Sequence, residues 1–456
     1  MSARHVMVAD LGYGDAGKGG IVDWLCSPPG PLATRAAARG AGSANRSSAG
    51  PVHTVVRYNG GAQAAHNVVT PDGRWHTFAQ FGSGSFTAGT RTFLSRFMLV
   101  DPLAMIAEAE HLASQGVDRP LNEIEIDERA LLTTPYHQAA NQARERARGD
   151  GRHGSCGMGV GETAAYALRC PGDAPRAGDA QGPAAALERA LAAVRDYAVD
   201  DAGADPARLP PPAVVADAYQ AWAQRITITG EGHLARLLRR PGSVVFEGAQ
   251  GVLLDEWRGF HPYTTWSTTT FGNAEELLAE AGQPGTALRL GVTRAYQVRH
   301  GPGPLVTEDP TLELAEPHNR TGRWQGPVRA GHLDAVTLRY AVEACGGVDA
   351  VALTHLDTAR QHRGELRVAR AYAIGERGRA GRLPLGPPRD LAYQERLTQM
   401  LLAARPVYDA PRPASDDDWA QVVARAAGAP VTIRSHGPSA TAKSSSFRPS
   451  PATAPL

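Results

Sequence analysis

The sequence contains almost no lysine. Lys18 and Lys443 are the only two lysines among 47 basic residues, and arginine occupies every other basic position. Lys18 lies in the glycine-rich segment GYGDAGKGG, where a compact ammonium group can reach a phosphate in a way that a planar guanidinium cannot. We therefore expect Lys18 to have a specific role. Lys443 lies in a segment whose low-complexity composition is typical of a disordered tail.

Cysteine is scarce, and neither charge predominates. Cys26, Cys156, Cys170 and Cys345 show no CxxC or Cys/His spacing, which excludes a disulfide framework and a zinc site of the usual pattern. A net charge of +1 gives no sign of a surface built to neutralise nucleic-acid phosphates or to bind anionic lipid. No apolar run approaches the ~18 residues of a membrane span, and the N-terminal apolar stretch is too short for a signal peptide. These features predict a cytoplasmic protein that acts on small molecules.

The 456 residues are 42% hydrophobic and 20% charged, a balance typical of a folded globular chain. Strand-like segments alternate with helical patterns, including a helix that follows the N-cap Asp101, and this alternation predicts an α/β fold. We expect a large, mostly parallel sheet flanked by helices, P-loop-like at its start, in one domain over residues 1–436. Residues 27–51 and 171–183 have the composition of flexible insertions, and residues 437–456 that of a low-complexity tail. The strand-like segments are VHTVVRY, RTFLSRFML, NEIEI, SVVFEG, LRLGV, VDAVALTHL, LRVARAY and PVTIRS.

The segment from Gly12 to Gly19 fits G-x-x-x-x-G-K, with Gly19 where serine or threonine usually follows. Glycines let backbone N–H groups turn toward a phosphate, the following helix adds a partial positive charge, and Lys18 reaches a terminal phosphate oxygen. The missing hydroxyl removes the usual magnesium ligand, but Asp15 supplies a carboxylate within the loop. An ordinary glycine turn that caps a helix is the alternative interpretation.

Three further segments carry polar groups suited to binding. His66 follows two glycines in RYNGGAQAAHNVV, although a lone histidine is more often structural than catalytic. The run TTWSTTT could line a polar pocket or form a plain threonine-rich loop. Arg323 and Arg329, in TGRWQGPVRAG, are suited to bidentate binding of a carboxylate or phosphate, whereas exposed arginines usually only solvate a surface.

Taken together, six segments resemble the signature blocks of the adenylosuccinate synthetase family, in the family's order. The resemblance implies condensation of IMP with L-aspartate, driven by GTP through a 6-phosphoryl intermediate, to give adenylosuccinate, GDP and phosphate. It also implies a cytoplasmic homodimer that needs Mg²⁺ and takes part in purine biosynthesis. The blocks are GYGDAGKGGIVDWL, VVRYNGGAQAAHNVV, FEGAQGVLLD with HPYTTWSTTT, GVTRAYQVRHGPGPLVTE, TGR with GHLDAVTLRYAV, and VDAVALTHLD.

The resemblance also implies roles for individual residues. Asp15 matches the base that takes the N1 proton, and His66 matches the histidine that helps O6 attack the γ-phosphate. Mg²⁺ is expected on Asp15 and the backbone carbonyl of Ala65. The other implied contacts are Gly12, Gly14, Gly17, Lys18, Gly19, Asp357 and Gly437 for GTP; Gln63, Cys156, Gln250, Thr265 and, from the second subunit, Arg169 for the nucleotide monophosphate; and Thr321 and Arg323 for L-aspartate.

The sequence departs from the family pattern around this catalytic pair. Ala16 and Gly20 replace a glutamate and a second lysine, Ala65 replaces a glycine, and Gln63 replaces an asparagine. Cys156 and Thr268 also differ from the family, WQGPV extends the aspartate loop, and His355 stands where a lysine normally packs on guanine. Such changes leave open a paralogue that acts on another 6-oxopurine nucleotide in specialised metabolism, or a non-catalytic nucleotide-binding relative. A kinase or simple NTPase that uses the phosphate loop is a further alternative.

Overall fold

The computed structural model describes most of the chain. The described residues are 4–28, 30–32, 51–314, 324–362, 364–375, 378–410 and 412–446. Among them, no helix is long and apolar enough to cross a membrane.

The strands fall into one large sheet and four small ones. The large sheet has the order β20-β19-β15-β11-β1-β10-β2-β5-β7-β9, and all neighbouring strands are parallel except β19 and β20. The strands are β1 (His5–Asp10), β2 (Val52–Arg57), β3 (His66–Val69), β4 (Trp75–Phe78), β5 (Arg91–Leu94), β6 (Leu99–Val100), β7 (Ile124–Asp127), β8 (Leu131–Leu132), β9 (Thr227–Thr229), β10 (Ser243–Glu247), β11 (Ala287–Arg294), β12 (Gln297–His300), β13 (Val328–Gly331), β14 (Leu333–Asp334), β15 (Ala350–Thr354), β16 (Val368–Ile374), β17 (Gly378–Ala380), β18 (Arg405–Tyr408), β19 (Val431–Ser435) and β20 (Lys443–Ser445).

Helices cover both faces of the large sheet, as the alternating pattern predicts. The α-helices are α1 (Lys18–Cys26), α2 (Pro102–Ser114), α3 (Pro135–Ala147), α4 (Val160–Arg169), α5 (Ala184–Asp196), α6 (Pro212–Ala223), α7 (His233–Arg239), α8 (Gly272–Glu280), α9 (Ala335–Ala344), α10 (Leu356–Gln361), α11 (Leu391–Ala403) and α12 (Asp416–Ala427). Short 3₁₀ turns lie at Pro120–Glu123, Gly149–Gly151, Ala177–Gln181, Pro206–Arg208, Val252–Leu254 and Ala440–Ala442, with a π turn at Tyr197–Asp201.

The central strand β1 shows why the sheet is buried on both sides. All six of its residues are buried, and successive side chains point to opposite faces. Val6 and Val8 belong to the core cluster that includes α1, whereas Met7 and Ala9 belong to the larger cluster on the other face. The sequence of a strand that is covered on both faces is a nearly continuous apolar run, and HVMVAD has this pattern.

The predicted N-cap of α2 is confirmed. Asp101 Oδ1 accepts hydrogen bonds from the backbone N–H groups of Leu103 and Ala104, both at 3.1 Å, and Pro102 occupies the first turn. Capping of this kind satisfies N–H groups that have no acceptor within the helix.

The structure differs from the sequence predictions in two segments, and a third lies mostly outside the described residues. The segment LRVARAY contains a strand, β16, but it lies in a second, four-stranded sheet with β14, β17 and β18. Within residues 171–183, Ala174, Ala177 and Ala180 are buried in a core cluster, so this part packs as an ordered piece of the domain. The insertion predicted at 27–51 lies mostly outside the described residues.

The carboxyl ends of the central strands meet at one edge, and polar or charged side chains follow one another there. β1 ends at Asp10, β10 at Glu247, β2 at Arg57, β11 at Arg294 and β15 at Thr354. From β1 the chain first builds the sheet toward β9 and later toward β20. Such a reversal leaves a crevice at the strand ends, which is where α/β sheets bind ligands.

Candidate functional site

The loop between β1 and α1 is organised around Asp10. One carboxylate oxygen, Oδ1, accepts hydrogen bonds from the backbone N–H groups of Gly12 at 2.8 Å and Gly14 at 3.2 Å. The other oxygen, Oδ2, accepts one from Ala16 N–H at 2.7 Å. Hydrogen bonds to an ionised acceptor are about twice as strong as neutral ones. Asp10 therefore holds the predicted phosphate loop in one shape.

Lys18 points back across this loop. Its Nζ donates hydrogen bonds to Asp10 Oδ2 at 3.1 Å and to the backbone carbonyl of Gly14 at 2.8 Å, and its side chain is 1% exposed. A buried ammonium group needs partners of this kind to offset the loss of hydration. Lys18 thus has a fixed position in the loop, and its role toward a phosphate stays a prediction.

The start of α1 offers backbone donors beside Lys18. Gly17 caps the helix with φ 85°, a left-handed conformation that favours glycine. The first helical hydrogen bond runs from Ile21 N–H to Gly17 O at 3.3 Å. The N–H groups of Lys18, Gly19 and Gly20 therefore have no acceptor within the helix. Together with the helix dipole they form the kind of terminus that binds phosphate.

Gly19 lets α1 approach β3. A Cβ atom at Gly19 would lie 2.8 Å from His66 Cβ and 3.1 Å from the His66 carbonyl carbon. Only glycine permits this approach without a backbone shift. The glycine in place of the usual serine or threonine thus brings His66 against the phosphate loop.

Asp15 lies at the same edge, close to His300 and Arg294. Its Oδ2 is 3.4 Å from His300 Nε2, and its backbone carbonyl accepts a hydrogen bond from Arg294 at 3.2 Å. Burial raises the pKa of Asp15, while His300 and Arg294 oppose that rise. A raised pKa makes a carboxylate a better proton acceptor, as a general base requires.

His66 is oriented by a buried carboxylate. Its Nδ1 lies 2.6 Å from Glu247 Oε1, which requires the proton to sit on Nδ1 while the ring is neutral. Ser83 holds the same carboxylate, with its backbone N–H 2.9 Å from Oε2 and its hydroxyl on Oε1. The other ring nitrogen, Nε2, is then the one available to a substrate.

Electrostatics keep this pair as a neutral histidine and a carboxylate. Burial lowers the pKa of His66 to about 4, although the hydrogen bond to Glu247 opposes the shift. Burial would raise the pKa of Glu247, but Arg57 and the hydrogen bonds from His66 and Ser83 outweigh it and lower that pKa to about 2. The carboxylate therefore stabilises positive charge on His66 when a reaction creates it.

A cavity of about 220 Å³ joins these groups. It brings together Asp15, Lys18 and His66 with residues predicted to bind GTP from distant parts of the sequence. The lining residues are Gly14, Asp15, Gly17, Lys18, Gly19, Gly20, Ala65, His66, Asn67, Val69, Arg294, Thr354, His355, Asp357, Thr358, Ser435, Gly437, Pro438 and Lys443.

The far end of the cavity is built by β15, α10 and β19. His355 caps α10 with φ 58°, a conformation that is rare for a residue with a side chain. Burial lowers the pKa of His355 well below its usual value, so the ring is neutral. Asp357 follows in the first turn of α10, and Gly437 follows β19. Strained positions of this kind cluster at binding sites.

The segment predicted as a tail contributes to this end of the cavity. Residues 440–442 form a 3₁₀ turn, and Lys443–Ser445 form β20, which pairs antiparallel with β19. The expectation that Lys443 lies in a disordered tail is therefore wrong. An edge strand gains its order from the strand beside it, which the composition of the segment does not reveal. Residues 447–456 lie outside the described part of the chain.

Two predicted nucleotide contacts, Gln63 and Gln250, lie outside the cavity lining but close to each other around the turn at Gly60 and Gly61. A Cβ at Gly60 would be 3.1 Å from Gln250 Oε1, and one at Gly61 would be 3.0 Å from Gln63 Oε1. Both amide groups are buried, and neither the oxygen nor the nitrogen of either has a hydrogen-bond partner in the part of the chain that the structure describes. Buried polar atoms are normally paired, so these four atoms mark a place where a polar ligand fits.

Among the described residues, the other predicted substrate contacts do not line this cavity; they are Cys156, Arg169, Thr265 and Arg329. The backbone N–H of Thr265 donates a hydrogen bond to Leu254 O at 2.8 Å. Burial raises the pKa of the Cys156 thiol. Arg169, at the end of α4, is 60% exposed and pairs with Asp201 at 3.0 Å.

Arg329 stabilises a turn. Its guanidinium group donates to the carbonyls of Gly301 and Gly303, both at 2.9 Å, and pairs with Glu308. It lies in β13 rather than on the loop suggested by the sequence. Thr321 and Arg323, predicted to bind L-aspartate, lie outside the described residues.

Sequence reasoning missed four residues of this site: Asp10, Glu247, Arg294 and Lys443. The first three share one signal, a charged residue that ends an apolar strand segment. A charge in that position lies at the carboxyl edge of a parallel sheet, where ligands bind. Lys443 carried a different signal, its rarity.

The oxygen ligands present suit magnesium. Among the described residues, no cluster of three or more histidine, cysteine or acidic side chains could hold a metal ion. Mg²⁺, however, usually binds one or two carboxylates and completes its shell with substrate phosphates and water. The Asp15 carboxylate and Ala65 line the same cavity as Lys18, so the donor set fits this ion.

Comparison with known proteins agrees with this geometry. The sequence matches the protein family described as adenylosuccinate synthetase over residues 7–442. It is 31% identical over 385 residues to the adenylosuccinate synthetase of Desulfovibrio desulfuricans, covering 81% of each chain. It is 33% identical over 393 residues to that of Thermosynechococcus vestitus, covering 82% of this chain and 78% of the relative.

Two solved structures share the fold. A fully ligated adenylosuccinate synthetase from Plasmodium falciparum superposes with a TM-score of 0.74 at 18% identity, covering 96% of this chain and 99% of the other. A cyanophage S-2L succinoaminodeoxyadenylate synthetase bound to dGMP and dATP superposes with a TM-score of 0.58 at 17% identity, covering 98% and 97%.

Proposed function

Since the chain belongs to the adenylosuccinate synthetase family of GTP-dependent ligases, we propose that it condenses L-aspartate with the 6-oxo position of IMP. GTP supplies the phosphoryl group, and the products are adenylosuccinate, GDP and phosphate. One observation carries this proposal: Asp15, Lys18 and His66 line a single cavity, with Asp357 also in its lining. The reaction needs a base, two groups that assist phosphoryl transfer, and a carboxylate that recognises the nucleobase.

In the first step, Asp15 accepts the proton from N1 of the purine, and negative charge moves to O6. His66 Nε2 lies on the ring side opposite Glu247. For it to donate to O6 as O6 attacks the γ-phosphorus of GTP, the ring must take up a second proton when the anionic substrates bind beside it. Glu247 supports the positive charge that develops on the imidazole. A positioned general base contributes about 10²–10⁴-fold to a rate, and a donor aimed at a developing oxyanion contributes about 10²–10³-fold.

The phosphoryl group is held by Lys18 and the first backbone N–H groups of α1. Lys18 Nζ lies within the loop, on Asp10 Oδ2 and the Gly14 carbonyl, beside these N–H groups. Phosphoryl transfer proceeds through a loose transition state whose charge must be stabilised by cations. Asp15 and the Ala65 carbonyl would hold Mg²⁺, which neutralises phosphate charge when it is bound.

In the second step, the amine of L-aspartate displaces phosphate from carbon 6. We assign binding of L-aspartate to Thr321 and Arg323, with Arg329 as a further cation. We assign the acceptor nucleotide to Gln63, Cys156, Gln250 and Thr265, and to Arg169 from the second subunit of a homodimer. The unpaired amides of Gln63 and Gln250 support this assignment most directly.

The proposal is tested by mass spectrometry of reactions containing L-aspartate, GTP and Mg²⁺ with IMP, GMP or XMP as the acceptor. We expect a succinyl adduct with IMP, formed only when aspartate is present. An adduct with another nucleotide but not with IMP would identify a paralogue with a different acceptor. Phosphate release without aspartate would identify an NTPase, and the absence of both would identify a binding protein.

Glu247→Gln is expected to lower kcat by about 10²–10⁴-fold. Glutamine keeps the shape of the side chain and can still accept a hydrogen bond from Nδ1–H, but it is uncharged and cannot stabilise an imidazolium. The matched control is Ser83→Ala, which removes one hydrogen bond from Glu247 but leaves its contact with His66. We expect Ser83→Ala to stay within about 10-fold of the wild type. Steady-state rates for both variants decide this, and a Glu247→Gln rate within a few-fold of the wild type would remove His66 from the mechanism.

Asp357→Ala is expected to erase most of the preference for GTP over ATP. A carboxylate can accept hydrogen bonds from guanine N1–H and its 2-amino group, which adenine does not offer. Hydrogen bonds to charged groups contribute about 1.5–3 kcal/mol, so the kcat/KM ratio of GTP to ATP should fall at least about 10-fold. Asp118→Ala, at a side chain that is 90% exposed, is the control. An unchanged ratio in Asp357→Ala would show that another group reads the base.

A further inference from the structure

Both lysines of the chain line the same cavity. Lys18 lies at the phosphate end, and Lys443 lies at the end that also contains His355 and Asp357. Since every other basic residue is arginine, two independently placed lysines would meet in one cavity only rarely. The family resemblance places a lysine at position 355, and this chain has histidine there.

Lys443 is held by the turn that lines the cavity. Its Nζ donates hydrogen bonds to the carbonyls of Ser439 at 2.9 Å, Pro438 at 3.1 Å and Gly437 at 3.4 Å. An ammonium group has three donors, and here each one meets a carbonyl of the same turn. Lys443 therefore fixes Gly437 and Pro438, which line the cavity.

Lys443 and His355 both approach the start of α1. A Cβ at Gly17 would lie 3.5 Å from His355 Cε1, and a Cβ at Gly20 would lie 3.4 Å from Lys443 Nζ. Both side chains therefore lie over the start of α1, on the side that lines the cavity.

Two carboxylates lie near Lys443. Asp23 on α1 is buried, and Asp357 on α10 lines the cavity. Burial lowers the pKa of Lys443 to about 8, and Asp23 and Asp357 oppose that shift. The base end of the cavity therefore presents a negative and a positive group together. Guanine offers donors for the negative group and acceptors for the positive group. Adenine, in contrast, would direct the N–H donors of its 6-amino group toward the positive group.

We propose that Lys443 is a specificity-determining residue of the donor-nucleotide site, supplying from β20 the positive charge that position 355 lacks. It fixes the Gly437–Ser439 turn and, with Asp357, selects a guanine over an adenine nucleotide. This inference rests on the assignment of the cavity to the donor nucleotide in the proposed function.

The test is calorimetric binding of GDP and ADP in the presence of Mg²⁺, which needs no turnover. Lys443→Met keeps the aliphatic stem and removes the charge. We expect GDP to bind at least 10-fold more weakly to Lys443→Met, while ADP binding changes less than 3-fold. Lys443→Arg keeps the charge and should retain the GDP preference, even if both nucleotides bind more weakly. Arg405→Met, at an exposed position of β18, is the control and should bind both nucleotides as the wild type does.

Equal weakening of GDP and ADP in Lys443→Met would assign Lys443 a merely structural role and overturn the inference. Unchanged GDP binding, or loss of the GDP preference in Lys443→Arg, would also overturn it. The proposed function fails separately, through the absence of an aspartate-dependent product. A chain without that product can still bind GDP in a Lys443-dependent manner, and an active ligase can bind GDP without regard to Lys443.

Discussion

Asp15→Asn is expected to lower kcat at least about 10²-fold, because asparagine can neither take the N1 proton nor bind Mg²⁺ as a carboxylate does. The raised pKa of Asp15, which burial causes, is part of the reason for a large effect, since it marks a carboxylate poised to accept a proton. The backbone carbonyl of residue 15 would still accept its hydrogen bond from Arg294, so the loop should keep its shape. Steady-state kinetics with saturating IMP, GTP and L-aspartate measures the loss.

The control for this variant is Asp118→Asn, which makes the same chemical change at an exposed site. Its kcat should equal that of the wild type. The melting temperature of Asp15→Asn should also stay close to the wild-type value. A near-normal kcat in Asp15→Asn would leave the phosphate loop without its proposed base and would favour a nucleotide-binding protein.

Lys18→Met is expected to lower kcat at least about 10²-fold, the cost of removing one donor aimed at developing charge. Methionine has a similar length but no charge or donor for the γ-phosphate. Asp10 would keep its three backbone N–H partners in this variant, so the loop should remain folded. The rate and the melting temperature together separate a catalytic loss from a folding defect.

Lys18→Arg distinguishes charge from shape at the same position. The buried site between Asp10 Oδ2 and the Gly14 carbonyl holds a small ammonium group, and a planar guanidinium does not fit those two contacts. We expect Lys18→Arg to be impaired nearly as much as Lys18→Met. A kcat above about a tenth of the wild-type value in Lys18→Met, a loss below ~1.4 kcal/mol, would contradict the assignment.

The central sheet could be predicted because parallel strands buried on both faces leave a plain signal, the continuous apolar run. The segments HVMVAD and SVVFE show it, and both lie at the centre of the sheet. Pairing partners left no such signal. LRVARAY has the same local character but forms β16 in a smaller sheet, because strand pairing depends on contacts that are distant in the sequence.

The candidate site was predictable where a residue sits in a recognisable loop, as Asp15, Lys18 and His66 do. Glu247 could not be found in that way, since its role arises only when β10 places it beside β3 and the turn at Ser83. Lys443 was misjudged for a related reason. Its segment is rich in serine and alanine, and only pairing with β19 orders it.

The most direct measurement follows the oxygen atom at position 6 of the acceptor. IMP labelled with ¹⁸O at that position is incubated with GTP, L-aspartate and Mg²⁺, and both phosphate and the nucleotide product are analysed by mass spectrometry. If O6 attacks the γ-phosphorus and leaves with it, each phosphate released carries one ¹⁸O atom and the succinylated product carries none. Unlabelled phosphate, released while the IMP keeps its label, would contradict the proposed reaction.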